Sequence, residues 1–161
     1  MKKAKLLLAA CLCVFVSHSH FLQAQNVGPA PDWNWVQTFG NSELDLGKEV
    51  VCSPAGDMYV TGYFNGQISV NNQVFSSYGL YAAFVVKLDP SGQVQWVKTL
   101  ETDALAGETV GQVIALDNNG NVIVSGYFRS GALKLGNLTF PVASSIDLFV
   151  VSYDSSGNLL W

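Results

Sequence analysis

Phe84-Val85-Val86-Lys87-Leu88-Asp89-Pro90-Ser91-Gly92 recurs 65 residues later as Phe149-Val150-Val151-Ser152-Tyr153-Asp154-Ser155-Ser156-Gly157. An apolar run of this length, closed by Asp-x-x-Gly, reads as a buried strand entering a tight turn. Working outward, the repeat extends in both directions. Thr61-Gly62-Tyr63-Phe64 returns as Ser125-Gly126-Tyr127-Phe128 at an offset of 64. Trp35-Val36-Gln37-Thr38-Phe39 returns as Trp96-Val97-Lys98-Thr99-Leu100 at an offset of 61, and Trp161 falls at the same phase again. The drift places about three extra residues in the loop near 103–108 and one near Ser144. Loops absorb such insertions where strands cannot.

Each copy has the same internal order. A short apolar strand (Glu49–Ser53 or Gly111–Leu116) leads through a Gly turn into an alternating strand (Met58–Phe64 or Val122–Phe128). Val60 and Val124 face one side of it, Tyr59 and Ile123 the other. A weaker Gly- and Asn-marked segment follows, with Ile68–Val70 and Gln73–Phe75 in one copy and Leu133–Leu135 and Leu138–Phe140 in the other. Then come the strong strand (Ala82–Leu88 or Asp147–Tyr153), a second Gly turn, and the Trp-bearing strand (Gln93–Leu100 or Asn158–Trp161). Gly56, Gly92, Gly120 and Gly157 supply the positive φ of the turns, and neighbouring Asp or Asn side chains bond the turn backbone. A four-stranded sheet with two apolar faces buries them by stacking on its neighbours. The expected fold is all-β, with tandem four-stranded antiparallel blades of a β-propeller. Two blades are present, about 47–100 and 108–161, within a repeat region over 33–161. Trp33–Phe39 matches the last strand of a blade and is expected to close a ring.

Gly120–Phe128 (Gly-Asn-Val-Ile-Val-Ser-Gly-Tyr-Phe) and Phe84–Trp96 (Phe-Val-Val-Lys-Leu-Asp-Pro-Ser-Gly-Gln-Val-Gln-Trp) resemble the bacterial seven-bladed β-propeller repeat, the SBBP repeat. The resemblance covers about residues 33–161. It implies an exported, surface or extracellular propeller of the kind common in the Bacteroidetes lineage, where a C-terminal domain often directs type IX secretion. A ring needs about four to eight blades. The chain therefore reads as an N-terminal part of a longer protein with further blades to come, or as one of several short chains that assemble into a ring.

Residues 1–24 read as a signal peptide: Lys2, Lys3 and Lys5 precede an apolar run, Leu6–Val16, with a cut expected after Ala24. Leu8-Ala9-Ala10-Cys11 matches a lipoprotein box only superficially, since the apolar run continues beyond it. Residues 25–32 form a short Pro-containing leader. The 137 residues after Ala24 hold no histidine and one cysteine, Cys52 in an apolar run, expected as a buried small side chain. Five basic side chains face twelve acidic ones, a net charge of −7, which repels phosphate backbones and argues against nucleic-acid partners. No membrane span is expected after residue 24.

His- and Cys-dependent catalysis and transition-metal sites have no residues to use. Asp117–Asn121 and Asp154–Asn158 look like the start of a calcium loop but lack its later bidentate Glu, so they read as hairpin turns. Asp45, Glu49, Glu101, Asp103 and Glu108 lie between the blades and read as a solvated acidic surface rather than a paired-carboxylate site. Of Trp33, Trp35, Tyr63, Phe64, Tyr127 and Phe128 most recur at repeat phase, which reads as blade packing. Tyr78 and Tyr81 have no aromatic counterpart in the second copy and are the candidate ligand contacts. No catalytic, cofactor or metal residues are assigned. The expected role is a non-enzymatic interaction or structural scaffold with a protein or glycan partner, exported to the cell surface or medium. The alternative is the N-terminal part of a propeller enzyme, carbohydrate-active or quinoprotein-like, with its active site in further blades.

Overall fold

The computed structural model describes residues 34–142 and 145–161, so the signal peptide, the leader, Trp33 and the insertion at Ser144 lie outside the described residues. Eleven strands and no helix form this part of the chain: β1 (Asp45–Cys52), β2 (Met58–Phe64), β3 (Gln67–Val70), β4 (Gln73–Ser76), β5 (Ala82–Leu88), β6 (Val94–Thr102), β7 (Glu108–Leu116), β8 (Val122–Arg129), β9 (Leu133–Leu135), β10 (Leu138–Phe140) and β11 (Asp147–Tyr153). The chain is all-β, and every ladder between the named strands is antiparallel.

The first blade is β1-β2-β5-β6, and the second repeats it as β7-β8-β11. Short Asp/Gly turns join strands at one end, while the insert hairpins β3-β4 and β9-β10 lie at the other. The initial strands begin earlier than the sequence suggests, at Asp45 and Glu108 rather than Glu49 and Gly111. Each contains a bulge, between Gly47 and Glu49 and between Gly111 and Val113, and the bulge interrupts the apolar pattern. In the second copy, Asn158–Trp161 makes a bridge from Leu159 to Tyr153 and backbone bonds to Ser152 rather than a full strand. Residues 34–39 make no ladder; Gly40 bridges Ser69 and fixes their phase.

Alternation along β2 and β5 divides the core in two. Phe64, Ala82, Phe84, Val86 and Leu88 are buried on one face under Ile68 and Val70 of the first hairpin, with Phe39 against them. Tyr59, Ala83 and Val85 are buried on the other face against Ile114, Val122, Val124, Phe149 and Val151 of the second blade. The second blade therefore presents to the first the face that the first turns toward its own hairpin. The repeated Gly-Tyr-Phe has a steric cause. A Cβ on Gly62 would sit 1.9 Å from the Leu46 carbonyl oxygen and 2.9 Å from the Phe84 ring. On Gly126 it would sit 1.9 Å from the Val110 oxygen and 2.8 Å from the Phe149 ring. Opposite each bulge the carbonyl leans over the partner strand, and only glycine leaves room.

The four-strand expectation needs one correction. β9 pairs with β6 through Glu101↔Lys134 and Thr102↔Leu133, so the second blade's hairpin extends the first blade's sheet to six strands. The Gly40–Ser69 bridge is the same joint one repeat earlier, and Asn41 Nδ2 donates there to the Gln67 carbonyl. The second hairpin is thus a staple between neighbouring blades, and the first makes the matching contact with the segment at Gly40 and Asn41.

Candidate functional site

The seam between the blades gathers most of the chain's distinctive side chains. Trp35 and Trp96 each reach from one repeat onto a turn of the next. Trp35 Nε1 donates to the Pro90 carbonyl at 3.2 Å, and Trp96 Nε1 to the Ser155 carbonyl at 3.1 Å. The indoles lie over Gly92 and Gly157, where an added Cβ would fall 2.5 Å and 3.0 Å from ring carbon Cδ2. Lys87 Nζ pairs with Asp57 at 2.9 Å and donates to Ser155 of the second blade at 3.2 Å. Burial works against this ammonium, but the Asp57 hydrogen bond and nearby Tyr59 outweigh it and leave its pKa raised.

The turn aspartates serve the turns themselves. Asp117 Oδ1 accepts from the Asn119 and Asn121 amides, and Asp154 Oδ1 from those of Ser156 and Asn158. The Asn121 and Asn158 bonds lead in holding both carboxyls below the usual carboxylate range. Asp89 follows the same pattern with Ser91 and Gln93.

The five acids do not form one surface cluster. Asp45 and Glu49 belong to β1, Glu101 to β6 and Glu108 to β7; Asp103 alone is in the loop. Glu49 Oε2 accepts the Ile114 N–H at 2.6 Å across the seam. Glu108 is buried and holds Arg129 at 2.6 Å. Both carboxylates are committed to joining strands. Cys52 is exposed, against expectation. β1 pairs only with β2, and its face is open: Val50 is also exposed, so the apolar run Val50–Cys52 is only partly covered.

The structure gives Tyr78 and Tyr81 different neighbours. Tyr81 is half-buried in the seam, edge-on to Tyr63 with ring centroids 5.0 Å apart. Its carbonyl accepts the Thr109 N–H at 2.9 Å, and Lys48 Nζ lies 5.3 Å over the Tyr63 ring. Tyr78 is 56% exposed. Its N–H donates to Glu101 Oε2 at 3.0 Å, and it lines an open hollow of about 240 Å³ with Glu101, Thr102, Asp103 and Lys134. Lys134 Nζ lies 3.1 Å from Asp103 Oδ2 and donates to Thr139. The Ala132 N–H, then Lys134, hold the Asp103 carboxyl below its ordinary range. Sequence reasoning missed Lys134 as a neighbour of Tyr78, because nothing in Leu133-Lys134-Leu135 says that its hairpin docks on the preceding blade. The one available signal was the charge at the centre of an otherwise apolar strand. Among the described residues, no group of three or more His, Cys, Asp or Glu side chains is placed to hold a metal ion. No helix among them is long and apolar enough to cross a membrane.

Antiparallel repeats of this order, stacked through a repeated seam, define a propeller-like repeat protein. No family model matches the chain. Among curated proteins it is similar to an uncharacterized WD repeat-containing protein of Acanthamoeba polyphaga mimivirus. The two are 29% identical over 128 residues, which cover 70% of this chain and 9% of the relative. The chain thus spans about a tenth of that relative's length, and the likeness extends to its repeat character.

Proposed function

We propose that the chain is an exported β-propeller repeat protein of the SBBP kind, acting as a non-enzymatic interaction or structural scaffold at the cell surface or outside the cell. The observation that carries this reading is the repeated seam. Trp35 on the Pro90–Gly92 turn and Trp96 on the Ser155–Gly157 turn make one contact twice. A joint that repeats itself builds an extended array, and such arrays present broad surfaces to partners. The commitment of Glu49, Glu108 and Lys87 to joining strands supports a load-carrying role for the polar groups of the seam. The WD-repeat relative supports the same class of role, and the Lys2–Ala24 pattern supports export.

The test is expression of the chain from Met1 in a Gram-negative host, with intact-mass analysis of each cell fraction. A product beginning at Gln25 outside the cytoplasm, cleaved by protease added to intact cells, supports the reading. A product retaining Met1 in the cytoplasm rejects export. Turnover of chromogenic glycosides or of a quinone-coupled alcohol assay by the purified chain rejects the non-enzymatic role.

A further inference from the structure

We infer that the hollow beneath Tyr78 is a binding site for one neutral pyranose unit, with the sugar's C–H face on the Tyr78 ring and its hydroxyls on Glu101, Asp103 and Lys134. This deepens the scaffold reading by naming a partner class, a surface or soluble glycan, and it rests on that reading only for its biological setting.

Three elements build the hollow: the loop after β4, the end of β6, and β9 of the next blade. An exposed aromatic usually lies on a mobile loop, where ordering it on binding costs free energy. Tyr78 is held in place already. Its own N–H is bonded to Glu101, and on its two sides the Ser77 N–H bonds Gly66 at 2.8 Å and the Leu80 N–H bonds Gly107 at 2.7 Å. Gly79 packs so closely that a Cβ there would lie 2.4 Å from the Gly107 oxygen. The backbone that carries the ring is therefore held at three successive points, and the side chain is still more than half exposed.

The polar groups select the ligand class. Glu101 and Asp103 each spend part of their acceptor capacity on a backbone N–H, from Tyr78 and Ala132, and Asp103 also faces Lys134. Partly committed carboxylates beside an ammonium suit vicinal hydroxyls, which donate to one and accept from the other. Two carboxylates and one ammonium leave a net negative site that repels phosphates and uronates. At about 240 Å³ the hollow is smaller than the roughly 300–1,000 Å³ of sites for drug-sized ligands, which limits it to about one ring.

The experiment is saturation-transfer NMR on the whole chain with methyl glucopyranoside, methyl mannopyranoside, methyl galactopyranoside and N-acetylglucosamine, and with glucosamine and glucuronate as charged controls. At least one neutral sugar should bind with a Kd of about 1–10 mM, as expected for a single shallow site. Tyr78→Ala should weaken it roughly ten-fold or more, and Glu101→Gln should weaken it less, while Tyr81→Phe leaves it unchanged. Thermal unfolding of each variant keeps a folding defect separate from lost binding. No transfer to any neutral sugar at about 10 mM overturns the proposal, as does binding that survives Tyr78→Ala. Binding of glucosamine alone, abolished by salt, replaces it with a cation site. Each of these failures leaves the export and protease tests of the scaffold reading unaffected.

Discussion

Replacing the turn glycines by alanine separates backbone strain from the contact between blades. Gly92, Gly120 and Gly157 have φ of 82°, 79° and 83°, so alanine meets the same left-handed strain at each, about 1–2 kcal/mol. Their surroundings differ. Around Gly120 a new Cβ finds nothing within 4 Å. At Gly92 it meets Trp35 ring carbons at 2.5, 2.7 and 2.9 Å, and at Gly157 it meets Lys98 Cε at 2.9 Å and the Trp96 ring at 3.0 Å. Both would push an indole off its turn and break its hydrogen bond to the Pro90 or Ser155 carbonyl. Overpacking of this kind costs a further 1–3 kcal/mol or so. Gly120→Ala should therefore cost about 1–2 kcal/mol and Gly92→Ala about 2–5, with Gly157→Ala between them. Urea denaturation followed by tryptophan fluorescence reads the difference. With a slope of about 2 kcal/mol per M, an extra 2 kcal/mol moves the midpoint by about 1 M. Equal midpoints for Gly92→Ala and Gly120→Ala would refute the claim that the indole seats on the turn.

The other predictions concern single sites. Gly126→Ala forces a Cβ to within 1.9 Å of a backbone oxygen that cannot swing away, so it should cost about 3 kcal/mol or more and show as lost soluble yield and flattened circular dichroism. Burial pushes the Tyr153 hydroxyl up to about 12 from 10.0, so the unfolded chain ionises first as pH rises. Stability should then fall by roughly 2–3 kcal/mol between about pH 10 and 12, and Tyr153→Phe should remove that part of the slope in urea melts across this range. The Asp117 carboxyl is lowered from 3.8, chiefly by the Asn121 amide, so its contribution is present above that value and is lost as pH falls below it. Asp117→Ala should lower the melting temperature at neutral pH and raise the acid-unfolding midpoint, as followed by tryptophan fluorescence; an unchanged acid limb would count against the turn bonds.

Strand order, the Gly turns and the two-sided burial of Ala82–Leu88 were legible in the sequence, because apolar alternation and Asp-x-x-Gly act over a few residues; its counterpart Asp147–Tyr153 leaves Leu148 and Val150 exposed on one face. Val60 and Tyr59 face the two cores that their alternation indicates. What was not legible depended on contacts between repeats. Glu49 and Glu108 look like solvated acids until the seam brings them to the Ile114 amide and Arg129. Cys52 looks buried in its apolar run, but the face of β1 is open. At the candidate site, lack of a counterpart in the second copy marked both Tyr78 and Tyr81, but only Tyr78 is exposed, while Tyr81 packs on Tyr63. The neighbours of Tyr78 were not legible, since Lys134 lies 56 residues away and arrives through a hairpin that pairs with another blade's edge.

That hairpin has a mechanical consequence. In a simple stack of sheets, tension along the chain loads the linker between one sheet and the next, and each sheet can peel off in turn. Here two ladder pairs, Glu101↔Lys134 and Thr102↔Leu133, tie the second blade's hairpin to the strand that leads into that blade. Pulling the blades apart must break these backbone bonds together with the Lys134–Asp103 ion pair before the loop at 103–107 can straighten. The staple thus puts a parallel load path beside the covalent one, and neighbouring blades should yield to force as a unit rather than one by one.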